Sequence, residues 1–135
     1  MTRSACILVL STLFFTAGCG GRSTSDYIPS TDNARRAVTI ALDAWKAGQS
    51  PDPAGKLPSG TSVKAIDMDW SGGRKLSSYE IVGDVAGEET GPKKITVKLK
   101  YEGGEALDAT YHIVGIDPVQ VFRDKDYDRY FGSGK

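Results

Sequence analysis

The strongest constraint on this chain is a change of hydrophobic period. Ala34, Val38, Ala41, Leu42 and Trp45 recur at steps of four, three, one and three, one face of a 3.6-residue helix. From about residue 65 onward the spacing becomes two. Ile95, Val97, Leu99 and Tyr101 alternate with Lys94, Thr96, Lys98 and Lys100, which suits an antiparallel sheet covered on one side only. A helix followed by a run of strands predicts an α+β domain: one N-terminal helix packed on a twisted four- or five-stranded antiparallel sheet.

The elements follow from these periods. Ser30, Thr31 and Asp32 are good N-cap residues, and Gly48 ends the helix. Trp45 reads as a core anchor. The Pro- and Gly-rich stretch 50–60 breaks helix and strand alike and is expected as a loop covering one edge or end of the fold. Ile66, Met68 and Trp70, alternating with Ala65, Asp67 and Asp69, predict a first strand with the apolar three facing the core. Leu76 to Val85 predicts a second, bent or bulged at Gly83. Lys94 to Tyr101 is the third and Ala106 to Gly115 the fourth, and Val119 to Arg123 adds a short fifth strand or a continuation. The charged tail from Asp124 is expected to fray.

Loop parity sets which face each strand buries. A two-residue turn at Gly103-Gly104 would bury Asp108, Thr110 and His112. An odd loop such as Gly103-Gly104-Glu105 instead pairs Leu99 with Ala109, Val97 with Tyr111 and Ile95 with Ile113. Unpaired polar burial costs about 1–3 kcal/mol per group, so the odd loop is expected, with His112 on the outer face.

The N-terminus carries a different signal. Arg3 precedes an apolar stretch from Ala5 to Phe15, then Thr16-Ala17-Gly18-Cys19 and a polar segment Gly20 to Ser30. This is the layout of a secretory signal, and the stretch is too short to span a membrane, which takes about 20 apolar residues. With a cysteine where the mature chain would begin, it resembles a bacterial lipoprotein signal, although Thr16 stands where that family usually has leucine. An ordinary signal peptide cut near Ala17 or Gly18 is the alternative. The resemblance implies acylation of Cys19 by a diacylglycerol-type anchor and an amide-linked chain of palmitate type. It divides the chain into a leader (1–18), a flexible tether (19–30), a single domain (31–128) and a frayed tail (129–135), and places the domain on the extracytoplasmic side of a membrane in the cell envelope. The two cysteines are Cys6 and Cys19. With Cys6 in the leader and Cys19 acylated, no disulfide, zinc knuckle or cysteine nucleophile is expected.

Formal charge is zero, so a nucleic-acid partner is not expected. The α+β pattern resembles the cystatin-like and NTF2-like folds. The run Tyr111-His112-Ile113-Val114-Gly115-Ile116-Asp117-Pro118-Val119-Gln120-Val121-Phe122-Arg123-Asp124 is similar to one in small bacterial lipoproteins of uncharacterised function. Those folds host isomerases, dehydratases, protease inhibitors and bare scaffolds, so they do not decide function.

Candidate chemistry is sparse. Asp124, Asp126 and Asp128 mimic the start of a calcium loop, but its sixth and twelfth places hold Arg129 and Lys135 rather than Gly and Glu. Asp67 and Asp69 share a strand face and are expected to be hydrated. His112 is the single histidine. It gives no multi-histidine metal site, and a Ser-His-Asp set would need Ser77 or Ser78 beside it. Tyr79, Tyr101 and Tyr111 fit a core or the wall of a pocket between helix and sheet. No catalytic residue, metal or cofactor is assigned. The candidate binding surface is the exposed basic row Lys94, Lys98 and Lys100 with His112. The expected function is a lipid-anchored binding or assembly module, with an envelope protein partner or a sheet-to-sheet homodimer. The alternative is an isomerase- or dehydratase-type enzyme using the helix–sheet pocket.

Overall fold

A computed structural model describes residues 28–84 and 91–131. The leader, Cys19 and all of the tether before Ile28 lie outside that range. The first element is helix α1, Thr31–Lys46. The Ser30 hydroxyl caps it by accepting from the Asn33 amide at 3.2 Å. Its buried face holds Val38, Leu42 and Trp45 together with Ala34, Ala37, Ala41 and Ala44. The small alanines let the helix backbone sit close to the sheet, while the large residues reach between strands.

Six strands follow: β1 (Gly55–Lys56), β2 (Ser62–Ile66), β3 (Leu76–Asp84), β4 (Lys93–Tyr101), β5 (Ala106–Val114) and β6 (Val119–Arg123), interrupted by a helical turn α2 (Met68–Ser71) and followed by helix α3 (Asp124–Phe131). They form one curled sheet in the order β1-β2-β6-β5-β4-β3. The architecture is α+β, as the change of period predicts, but among the described residues the sheet has six strands and is mixed, because β2 pairs with β6 in parallel. Side-chain period tells which residues face the core. It carries no information about which strand lies alongside or in which direction. No described helix is long and apolar enough to cross a membrane.

The first expected strand is corrected twice. It begins and ends earlier, at Ser62–Ile66, and its core-facing residues are Val63 and Ala65. What looked like continued alternation through Trp70 is a capped turn. The Asp67 carboxylate accepts from the Asp69 amide at 3.0 Å and starts α2. Met68 consequently points outward, while Trp70 turns back into the core.

The β4–β5 loop is odd, as burial demands. The Tyr101 amide donates to the Glu105 carbonyl at 2.8 Å, closing a loop of Glu102, Gly103 and Gly104. Leu99 pairs with Leu107, Val97 with Ala109 and Ile95 with Tyr111, a slip of two from the expected partners. A slip of two keeps every side chain on its face, so Ala109, Tyr111 and Ile113 are still buried. A register shift between Ile81 and Gly83 marks the bulge expected at Gly83.

The long loop after α1 does cover an edge. Its residues 55–56 form β1 beside β2, and Ala54 and Leu57 are buried. The tail does not fray at Asp124. Residues 124–131 form α3, which packs on the outer face of β5 and β6. Tyr127 stacks on His112 at 4.3 Å between ring centres, and Tyr127, Tyr130 and Phe131 surround Phe122. His112 therefore lies on the outer face, as loop parity requires, and is nevertheless 5% exposed because α3 covers it.

Candidate functional site

The parallel pairing of β2 and β6 aligns Ile66 with Phe122. The next residue along each strand is charged, Asp67 on one and Arg123 on the other. Both are buried, and the guanidinium Nη1 lies 3.1 Å from Asp67 Oδ2. Two tyrosines on the inner faces of neighbouring strands close the cluster. Tyr111 donates its hydroxyl to Asp67 Oδ2 at 2.9 Å. Tyr101 accepts from Arg123 Nη2 at 3.2 Å and donates to Asp69 Oδ2 at 3.1 Å. Lys125 Nζ reaches Asp69 Oδ1 at 3.3 Å from the solvent side. Asp126 is buried beside them and accepts from the Met68 amide at 3.0 Å.

Asp67 thus has both oxygens occupied: Oδ1 by the α2 amides, Oδ2 by Tyr111 and Arg123. The titration behaviour follows from these partners. Burial pushes the Tyr111 phenol well above its ordinary value, and the Asp67 charge pushes it further. Burial likewise raises Tyr101. Arg123 is raised despite its burial, because Tyr111, Asp67 and Tyr101 all favour the charged form. Partial burial would lift Asp69, but hydrogen bonds from Lys125 and Tyr101 and the Arg123 charge hold it below the usual carboxylate value. At neutral pH the two phenols stay protonated, Arg123 stays cationic and Asp69 anionic, so none of these four is poised to exchange a proton there. Chemically the arrangement is an ionic clasp joining β2, β4, β5, β6 and α2.

An aromatic stack adjoins the clasp. Trp45 and Trp70 lie face to face at 5.5 Å, Tyr101 meets Trp45 edge-on at 5.7 Å, and the Arg74 guanidinium sits 3.6 Å over the Tyr101 ring while pairing with Glu105. Both indole N–H groups donate to backbone carbonyls, Trp45 to Arg74 at 2.7 Å and Trp70 to Gln49 at 3.0 Å. The Trp45 bond ties α1 to segment 70–75, and the Trp70 bond ties that segment to segment 48–51. An open cleft of about 280 Å³ runs between these two segments, its rim formed by Gln49, Ser50, Arg74 and Lys75. The space between α1 and the sheet, where a pocket was expected for the enzyme reading, holds the side chains of Val38, Leu42, Trp45, Ile95, Val97 and Leu99.

The sequence-derived candidates separate. Lys94, Lys98 and Lys100 share the outer sheet face, but the row is not uniformly basic. Lys98 lies between Glu80 and Asp108, Lys100 between Ser78 and Ala106, and Lys94 opposite His112. His112 leaves the exposed surface: its Nε2 lies 2.5 Å from Asp124 Oδ1, and its buried Nδ1 has no hydrogen-bond partner among the described residues. Asp67, expected to be hydrated on an outer face, is buried in the clasp, and Asp69 is half-covered beside it. Asp124, Asp126 and Asp128 lie on a helix rather than in a calcium loop, and among the described residues no cluster of His, Cys, Asp or Glu is placed to hold a metal. Arg123 escaped the sequence reading. A signal was present: it follows Val119 and Val121 at the core-facing parity, and a cation there requires a buried partner.

Compared with known proteins, the chain matches no family model, no curated protein and no solved structure.

Proposed function

We propose that this chain is a lipid-anchored protein of the cell envelope whose α+β domain acts as a binding or assembly module. The observation that carries the proposal is Cys19, placed directly after an apolar stretch and the small residues Ala17 and Gly18 and before a polar tether. Two or more acyl chains on that cysteine give stable anchoring, at about 0.8 kcal/mol per buried methylene. The domain lies on the extracytoplasmic side of its membrane. The test is Cys19→Ser with lipid labelling and membrane fractionation: loss of label and release into the soluble fraction are expected, and unchanged partition rejects the anchor.

Two features support a module over a pocket enzyme. The residues between α1 and the sheet form an apolar core, and Asp67, Arg123, Tyr101 and Tyr111 of the buried clasp are bonded to one another. Partner contact falls to the edge of β3. That strand is nine residues long and pairs with β4 on one side, with no described strand on the other. The backbone groups along that side, which no described strand pairs, fit an extended segment of an envelope protein added as a further strand. Val82, 56% exposed on β3, is the residue to alter. Pull-down of the acylated protein from its own membranes is expected to recover a partner that Val82→Asp loses while the circular dichroism spectrum stays unchanged. Equal recovery by both forms rejects the β3 edge as the contact.

A further inference from the structure

Helix α3 leaves large apolar side chains uncovered at one place on the molecule. Tyr130 is 71% exposed and Phe131 54%, although both touch Phe122. Met68, 54% exposed, is fastened to the same helix through the bond from its amide to Asp126, one turn before Tyr130. Two aromatic residues and a methionine at the rim of a small domain form a surface that water solvates poorly, and Tyr and Phe are residues that settle at the boundary between lipid headgroups and acyl chains.

The occupant is indicated by the length of chain between the cysteine and the domain. Nine peptide units separate Cys19 from Ile28, and at no more than about 3.6 Å each they reach at most about 32 Å. A domain of this size has a radius of gyration of about 13 Å and so a diameter of about 34 Å, and the tether therefore keeps it within about one diameter of the bilayer. Confinement of this kind raises the effective concentration of lipid at every surface patch, and a weak apolar contact becomes occupied. We infer that the Met68–Tyr130–Phe131 patch is a second membrane contact, seating the domain on the lipid surface with α3 facing the headgroups. This rests on the anchored reading above. Apolar burial drives the contact, because the two cations on α3, Lys125 and Arg129, are outnumbered by Asp124, Asp126 and Asp128. Added salt therefore leaves it in place.

The test separates the patch from the anchor. The chain from Cys19 onward is coupled through that thiol to a maleimide lipid in vesicles of phosphatidylethanolamine and phosphatidylglycerol, which tethers it whether or not the cell acylates it. Phe131 is replaced by photoreactive benzoylphenylalanine, and in separate samples so are Tyr130 and Val82, the last being an equally exposed position on β3. Orientation by about 1.4 kcal/mol gives about tenfold more phospholipid adduct from positions 130 and 131 than from 82, unchanged in high salt. Equal adduct at all three positions, none at 130 and 131, or cross-links to a second copy in place of lipid overturns the inference. Lipid labelling of Cys19 in the cell is read independently, so either proposal can fail alone.

Discussion

At the scale of single residues, Asp67 carries more structure than any other side chain in the described fold. It starts α2, pairs with Arg123 and accepts from Tyr111. Asp67→Ala removes the nearer counter-charge of a buried guanidinium and leaves it only the partly exposed Asp69, 3.5 Å away, so the expected loss is about 3 kcal/mol in a urea titration. Tyr111 predicts a pH effect. The folded chain holds the phenol proton well above the ordinary value of 10.0, whereas the unfolded chain releases it near that value. The stabilisation is therefore complete below pH 10 and lost progressively above it. Tyr111→Phe should lower the neutral-pH melting temperature, since Asp67 loses a donor, and flatten its alkaline decline. Melts on both sides of pH 10 read both effects. Gly115 is a third such residue. Its φ is +88°, and a Cβ there would lie 2.6 Å from the Pro118 carbonyl oxygen. Gly115→Ala is expected to cost about 1–3 kcal/mol, read in the same titration.

At the scale of elements, α3 differs most from what its sequence suggests. Asp124-Lys125-Asp126-Tyr127-Asp128-Arg129-Tyr130-Phe131 reads as a solvated charged tail, because alone it has too little apolar surface to pack. Phe122 supplies the missing counterpart. It sits on the outer face of β6, where an apolar side chain is out of phase with Val119 and Val121, and the aromatic residues of α3 cover it. Tyr127→Ala should uncover both Phe122 and His112, with an expected destabilisation of about 1–3 kcal/mol and increased binding of an apolar fluorescent dye. Helix α2 illustrates the same limit in the other direction. Four residues of apparent alternation, Asp67 to Trp70, fit a strand template equally well, and only the capping carboxylate distinguishes the two.

At the scale of the whole molecule, the sheet order places β2 and β3, neighbours in sequence, on opposite sides of β6, β5 and β4. The chain crosses the end of the sheet through α2 and residues 72–75, where the tryptophan stack and the clasp hold it. Strands β4, β5 and β6 have neighbours on both sides and lie under α1, whereas β1 is a two-residue edge strand. Native-state hydrogen exchange should therefore be slowest in β4, β5 and β6 and fastest in β1 and at the ends of α3. Rapid exchange through β5 would contradict this order.

The sequence by itself determined the α1 face, the strands β4 and β5 with their buried sides, the odd loop between them and the bulge at Gly83. Each depends on contacts a few residues apart or on a period that survives any arrangement of neighbours. The tertiary structure decided what depends on distant partners. It set the parallel pairing of β2 with β6, which brings Asp67 beside Arg123, fifty-six positions apart, and it decided the docking of α3 over His112 and Phe122. A charge at a core-facing position announces that a partner exists; only the folded chain shows which residue it is.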